Sequence, residues 1–296
     1  VKSKFWLRSL LFFALIILGT GINNKLIEAS AQSESKQELI YKSELLPHSI
    51  VHMLIVPDRH QLEIATASEP ALTHLPDFAQ KHQAIAAINA GFFDPNNQKT
   101  TSYVINQGQI VADPRENERL VNNPQLMPQM KQILDRSEFR IYACGEESRY
   151  DIVLHSEPIP PNCQLKDAVG GGPQLLPTNT SEREAFIVSQ DKKVIKDALG
   201  SSQPNARSAI AITGDRRVIF LMVAQKPDSP NDSGMSLTEM ATFLKNLGAE
   251  KAINLDGGSS ASLYYQGQTA YGKVDKQGNH LKRPVKSVLL IKAERS

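Results

Sequence analysis

The sequence predicts an α+β fold, a single domain of mixed and antiparallel sheet hairpins with a few packing helices. Short apolar runs separated by Gly, Pro, Asn and Asp recur from residue 49 to residue 292, which is the pattern of strands and turns. Only residues 236–247 carry a strong helical signature, and no fixed repeat or coiled-coil heptad appears. With 296 residues and 41% hydrophobic content, the chain can bury a sizeable core.

The first 31 residues stand apart from this domain. Lys2, Lys4 and Arg8 flank an apolar run from Leu10 to Leu18, and Ala29, Ser30 and Ala31 are small residues suited to cleavage. Residues 1–31 therefore read as a secretory signal peptide or, if uncleaved, an N-terminal anchor, the only expected membrane contact. Residues 32–48, rich in Ser, Gln, Glu and Lys, read as a flexible lead-in, and 49–296 as the domain proper. Removing Lys2, Lys4, Arg8, Lys25 and Glu28 turns the formal charge of +2 into −1. Without a basic excess, nucleic acid is not an expected partner. The two cysteines, Cys144 and Cys163, form a possible disulfide in an oxidising compartment, with two separate buried thiols as the alternative. The expected location is secreted or periplasmic.

Along the domain, residues 49–56 and 61–67 read as strands flanking a Pro57-Asp58-Arg59-His60 turn, hence a hairpin. Residues 84–90 form the next strand, and 103–105 with 109–111 form a hairpin around Asn106-Gln107-Gly108. Pro114, Pro124, Pro128, Pro158, Pro160 and Pro161 mark about 113–161 as an irregular excursion or lid. Residues 168–176 restore order around Gly170-Gly171-Gly172. Strands at 209–212 and 217–224 flank the Thr213-Gly214-Asp215-Arg216 turn. In the helix, Ser236 and Glu239 form a capping box, Leu237, Met240, Leu244 and Leu247 make one stripe, and Gly248 ends it.

After that helix comes Asn254-Leu255-Asp256-Gly257-Gly258-Ser259-Ser260, a carboxylate at the end of an apolar strand before a donor-rich loop. Backbone N–H groups of such a loop can form an anion nest beside an acid or base, and an Asp-Gly turn is the bland alternative. Arg207 enters a buried strand and either forms a salt bridge or holds an anion. Asn89 either caps a turn or meets a sugar hydroxyl. Asp94-Pro95-Asn96-Asn97 lacks the spacing of a calcium loop, and the scattered histidines lack zinc-site context, so no metal and no cofactor are expected. Gly258-Ser259-Ser260-Ala261 lacks the G-x-S-x-G elbow, and His280 is the only downstream histidine, which disfavours a serine hydrolase.

Taken jointly, Asn89-Ala90-Gly91-Phe92-Phe93, Val169 to Pro173, Ala206 to Ile210, Leu237 to Ala241, Ala252 to Ser260 and Arg283-Pro284-Val285 resemble the phosphodiester glycosidase family over about residues 50–292. Its members include a lysosomal enzyme that removes N-acetylglucosamine from a phosphodiester, and bacterial relatives assigned to exopolysaccharide work. The resemblance implies a hydrolase that cleaves the anomeric C–O bond of a sugar-phosphate diester in envelope or extracellular glycoconjugates. On this reading Asp256, Arg207 and Asp94 are catalytic, with Asp94 as second carboxylate. Asn89, Gly171, Gly172, Gly257, Gly258, Ser259 and Ser260 bind the carbohydrate or glycosyl-phosphodiester substrate. The alternatives are a non-catalytic carbohydrate-binding or exopolysaccharide-assembly protein, and a phosphodiesterase that cleaves P–O.

Overall fold

The apolar runs pair into three antiparallel sheets in a computed structural model that describes residues 38–58 and 62–293. The expected signal segment, 1–31, and residues 32–37 of the lead-in lie outside the described residues. From Glu38 onward the chain forms one compact unit. The first sheet runs in the order β1 (Ile40–Leu45), β2 (Ile50–Val56), β14 (Val218–Ala224), β13 (Arg207–Thr213), β15 (Ala249–Asn254) and β10 (Gln174–Leu176). The second runs β17 (Gln268–Tyr271), β16 (Ser262–Tyr265), β4 (Ala86–Asn89), β18 (Val285–Ala293) and β3 (Leu62–Thr73). The third runs β6 (Gln109–Ala112), β5 (Val104–Asn106), β9 (Gln164–Gly170), β7 (Ser137–Cys144) and β8 (Glu147–Leu154). A separate hairpin joins β11 (Ile187–Gln190) to β12 (Lys193–Asp197). Among the described residues, no helix is long and apolar enough to cross a membrane.

Strand alternation sorts the apolar side chains between cores. Along β14, Val218, Phe220 and Met222 point into a central core shared by all three sheets, with Ile88 and Leu289 of the second and Phe139 and Val169 of the third. Ile219, Leu221 and Val223 point the other way, onto the helix α4 (Leu237–Asn246) through Leu237, Met240 and Leu244. The capping box forms as its sequence indicates, with the Ser236 hydroxyl and the Glu239 carboxylate each meeting the other's backbone N–H. Helix α1 (Leu75–Lys81) covers the outer face of the second sheet with Leu75 and Phe78. The short helices α2 (Glu118–Val121) and α3 (Met130–Leu134) belong to the chain beside the third sheet, where Leu120 and Ile133 share a small cluster.

Three readings need correction. Residues 32–48 are not all lead-in, because β1 pairs with β2 over six residues; every β1 residue is exposed, so the polar composition marks an edge strand. The strands on either side of residues 57–60 form no hairpin: β2 joins the first sheet and β3 the second. Order does resume over 168–176, as two strands in different sheets separated by Gly171-Gly172-Pro173. The excursion at about 113–161 contains the regular β7–β8 hairpin, eight residues a side, turning at Gly145. Its prolines lie before residue 137 and after 154, and the span between them contains none. The expected hairpins β5–β6 and β13–β14 are present.

Cys144, at the end of β7, is disulfide-bonded to Cys163. A 19-residue separation gives a loop whose closure restricts the unfolded chain by about 3 kcal/mol. The Cys144→Ser/Cys163→Ser double variant is expected to unfold at lower guanidinium concentration, losing about 2–3 kcal/mol. An unchanged midpoint would show that the bond contributes nothing to stability.

Candidate active site

Asp256 occupies the point where the chain leaves the first sheet and enters the second, between β15 and β16. Three connections fix that crossover. The Asp256 N–H donates to Ala90 O at 2.9 Å, the Leu255 N–H to Ser208 O at 2.8 Å, and the Gly258 N–H to Ala206 O at 2.8 Å. Asn89 closes the joint from within: its Nδ2 donates to Asp256 O at 2.5 Å, and its Oδ1 accepts from Ser208 Oγ at 2.7 Å and from the Ser262 N–H at 3.0 Å. Asn89 is buried and its amide is occupied by protein groups. It positions the loop and presents nothing to a ligand.

The carboxylate itself is treated differently. Asp256 is half-buried, with its carboxyl closely surrounded by protein. Burial raises its pKa to about 6, against the opposing pull of Ser260, the Arg283 charge and the Gly257 N–H. Ser260 Oγ lies close enough to moderate the shift but makes no well-formed hydrogen bond, and Asn254 Oδ1, two residues upstream, also has no partner. A buried hydroxyl left open beside a carboxyl of near-neutral pKa can meet a polar reactant or water.

Arg283 is the cation that sequence reasoning passed over. Its Nη1 donates to Ser259 Oγ at 2.9 Å, and its guanidinium lies 4.9 Å over the Phe93 ring, half-buried at the rim. A signal was present in its placement directly before the last core strand, in a block that also carries the resemblance. Arg207 has other duties. Its Nε donates to Met235 O, its Nη1 to Leu199 O, and its Nη2 to Gly200 O and Gln203 O, all at 2.8–3.0 Å. Burial lowers its pKa to about 10, with the Asp197 charge opposing, so it stays cationic at neutral pH while pinning the 199–203 loop.

The remaining expected residues divide in the same way. Gly171 and Gly172 allow close approach to the protein's own chain: a Cβ on Gly171 would lie 2.6 Å from Asn254 O, and Gly172, at φ +111°, faces Glu184 and Phe186. The Gly172 N–H donates to Asn254 O, and Asn254 Nδ2 returns a bond to Gly172 O. The expected three-amide nest does not form, because Gly258 spends its N–H on Ala206 and Gly257 turns its own toward Asp256. Ser259 and Ser260 remain at the site. Asp94 accepts from Arg119 Nε and from the Asn96 N–H, both at 2.8 Å, and despite partial burial these donors hold its pKa below the usual range. A carboxylate so satisfied is a poor proton donor. Among the described residues, no group of His, Cys, Asp and Glu is arranged to hold a metal ion.

A carboxyl whose pKa rises on folding opposes folding once it ionises, from the unfolded value near 3.9 upward, and the penalty is complete above about 6. Asp256→Asn is therefore expected to raise stability at pH 8, by at most about 3 kcal/mol, and to leave it unchanged near pH 4. Urea melts at the two pH values test this, and a loss of stability at pH 8 would contradict the buried, unpaired carboxylate.

Comparisons with known proteins give the family and the fold. The phosphodiester glycosidase family model matches residues 82–292. A comparison with curated proteins finds no match. Among solved structures, the catalytic domain of zebrafish N-acetylglucosamine-1-phosphodiester alpha-N-acetylglucosaminidase, auto-inhibited by its pro-peptide, superposes with a TM-score of 0.60 at 16% identity, over 86% of this chain and 82% of that one. A hypothetical protein from Synechocystis gives 0.56 at 18% identity over 86% of this chain, which spans 61% of that protein's length. A candidate exported protein from Burkholderia pseudomallei gives 0.56 at 14% identity, over 82% of this chain and 74% of that one. At these identities the superpositions establish a shared fold. The family match, covering well over half of the sequence and including the Asp256 crossover, establishes that the chain belongs to the phosphodiester glycosidase family, a family of hydrolases.

Proposed function

We propose that this protein is an exported glycosidase that hydrolyses the anomeric C–O bond of a sugar-phosphate diester, releasing a free sugar and a phosphate monoester. The observation that carries the reading is a carboxyl of near-neutral pKa within the field of an arginine with unspent donors. The family match supports the reaction class, and the zebrafish relative is named for a phosphodiester-linked N-acetylglucosamine. Export is supported by the charged and apolar pattern of residues 1–31, by the Cys144–Cys163 bond and by likeness to a candidate exported protein.

The roles follow from the chemistry of the bond. Asp256, ionised above about pH 6, takes a proton from water as that water attacks the anomeric carbon. The C–O electron pair leaves with the phosphate, which is already anionic and departs without needing a proton. Arg283 holds the phosphate and the charge that grows on its leaving oxygen. Ser260 Oγ is placed to orient the water. Arg207 acts at one remove, by holding the 199–203 loop against the crossover.

Turnover of a panel of sugar-phosphate diesters tests these roles. Asp256→Ala is expected to reduce kcat about a thousandfold and to abolish the rise of kcat/KM with pH near 6. Arg283→Ala is expected to raise KM and lower kcat together, whereas Asp94→Asn leaves both within about threefold. Hydrolysis in oxygen-18 water is expected to label the sugar; label in the phosphate would overturn C–O cleavage in favour of a phosphodiesterase. Glycan binding without turnover of any panel member would favour a non-catalytic role.

A further inference from the structure

The β11–β12 hairpin belongs to none of the three sheets, and the reaction described above makes no use of it. It is anchored to the body of the domain at both ends. On one side the Ala198 N–H donates to Phe186 O at 2.9 Å, and Phe186 packs against Phe92, against Gly172 and beneath the Arg136 guanidinium. On the other side, Leu199 and Gly200 supply carbonyls to Arg207. Between these roots the five residues of β12 carry the chain outward by roughly 15 Å.

The projecting part is apolar and basic where a free surface hairpin is ordinarily polar. Val194 is 60% exposed and Ile195 is 62% exposed, the latter at a register slip where a bulge re-aims the side chain. Lys192 and Lys193 are exposed beside them, and Lys196 is half-buried next in sequence. The acidic groups nearby are mostly engaged. Asp197 accepts from the Leu199 and Ser201 N–H groups at the base, Glu182 accepts from Ser189 Oγ, and Asp191 sits at the turn, so the hairpin carries three lysines against two aspartates. Three lysines around two aliphatic side chains on a rigid stem match an anionic lipid surface: the lysines meet headgroups and the aliphatics enter the interface. A soluble anionic polymer would use the lysines and leave Val194 and Ile195 in water.

We propose that this hairpin docks the domain onto an anionic lipid surface. The inference stands on the hairpin and not on the identity of the substrate. Because Cys144 and Cys163 are bonded to each other, a single introduced cysteine can be labelled selectively in the full chain. An environment-sensitive fluorophore at Ile195→Cys is expected to brighten several-fold and shift to the blue on phosphatidylglycerol vesicles. The same label at Ile110→Cys, exposed on β6 in the third sheet, is expected to stay unchanged. Replacing Lys192, Lys193 and Lys196 with Gln is expected to weaken the position-195 response on the order of a hundredfold in lipid concentration. No shift at position 195, an equal shift on neutral phosphatidylcholine, or an equal response to soluble dextran sulfate would each overturn the proposal. A shift at 110 matching that at 195 would do the same, since it would report attachment through some other part of the chain. Near-ultraviolet circular dichroism of the lysine variant, expected to match the parent, separates lost docking from lost folding.

Discussion

The arrangement around Asp256 depends on one buried amide. Asn89 ends β4 and bonds simultaneously to β13, β16 and the Asp256 carbonyl, so it fixes the place where two sheets diverge. A chain passing from one layer to another must leave both hydrogen-bonded ladders, and its polar backbone then needs other partners. Here Ala90, Ala206 and Ser208 supply carbonyls and Asn89 supplies the donor. With the backbone satisfied in this way, the side chain of Asp256 is held at the divergence, where the Gly257 N–H, Ser260 and the Arg283 charge offset its burial only in part. A shorter or apolar residue at position 89 would leave the Ser208 hydroxyl and the Ser262 N–H unpaired inside the protein.

Hydrogen-bonding partners separate this carboxyl from Glu138 and Glu184, whereas Asp167, fully buried against Thr66 and Asn106 with one oxygen unpartnered, is likewise raised by burial. Glu138 meets Arg140 at 2.9 Å and His155 at 2.5 Å, and Glu184 accepts from the N–H and hydroxyl of Ser137 and from Gln174. Asp94 is satisfied by Arg119 and Asn96. Burying an acid without such partners costs stability, so proteins keep one where chemistry requires it. The two arginines near the crossover are divided along the same line. Arg207 is consumed by four carbonyl contacts, while Arg283 makes one side-chain hydrogen bond and rests on an aromatic face, which leaves donors for an anion.

Much of this was readable from the chain, and the misses share a cause. Local signals were sound: the capping box of Ser236 and Glu239, the β13–β14 hairpin and the carboxylate at the end of β15 all depend on residues near one another in sequence. Partners set by the fold were not readable. Pro57 and the residues after it look like a hairpin turn, yet the two strands go to different sheets, because both need covering by elements more than a hundred residues away. Gly171 and Gly172 were rightly taken as sites of close approach, but what approaches is the Asn254 strand and the Glu184–Phe186 turn. Arg207 and Arg283 look alike in sequence, and only the four carbonyls converging on the first distinguish them.

The third sheet shows how the site's surroundings are built. Helices cover the outer faces of the first two sheets with leucine and phenylalanine, whereas the outward face of β7 carries Glu138, Arg140 and Tyr142 at alternate positions, all buried. Arg140 donates to the Leu154, His155 and Glu157 carbonyls, and His155 stacks on Tyr103 at 3.8 Å. A polar network of this kind holds an irregular segment in one conformation by saturating its carbonyls, where an apolar surface would let it slide. Tyr103 follows Ser102, whose hydroxyl accepts from the Phe92 N–H in the loop that leaves Asn89. The proline-rich chain over the third sheet is thereby tied to the same crossover as Asp256. The strength of that tie comes from hydrogen bonds to backbone, which depend on the path of the segment and not on the side chains along it.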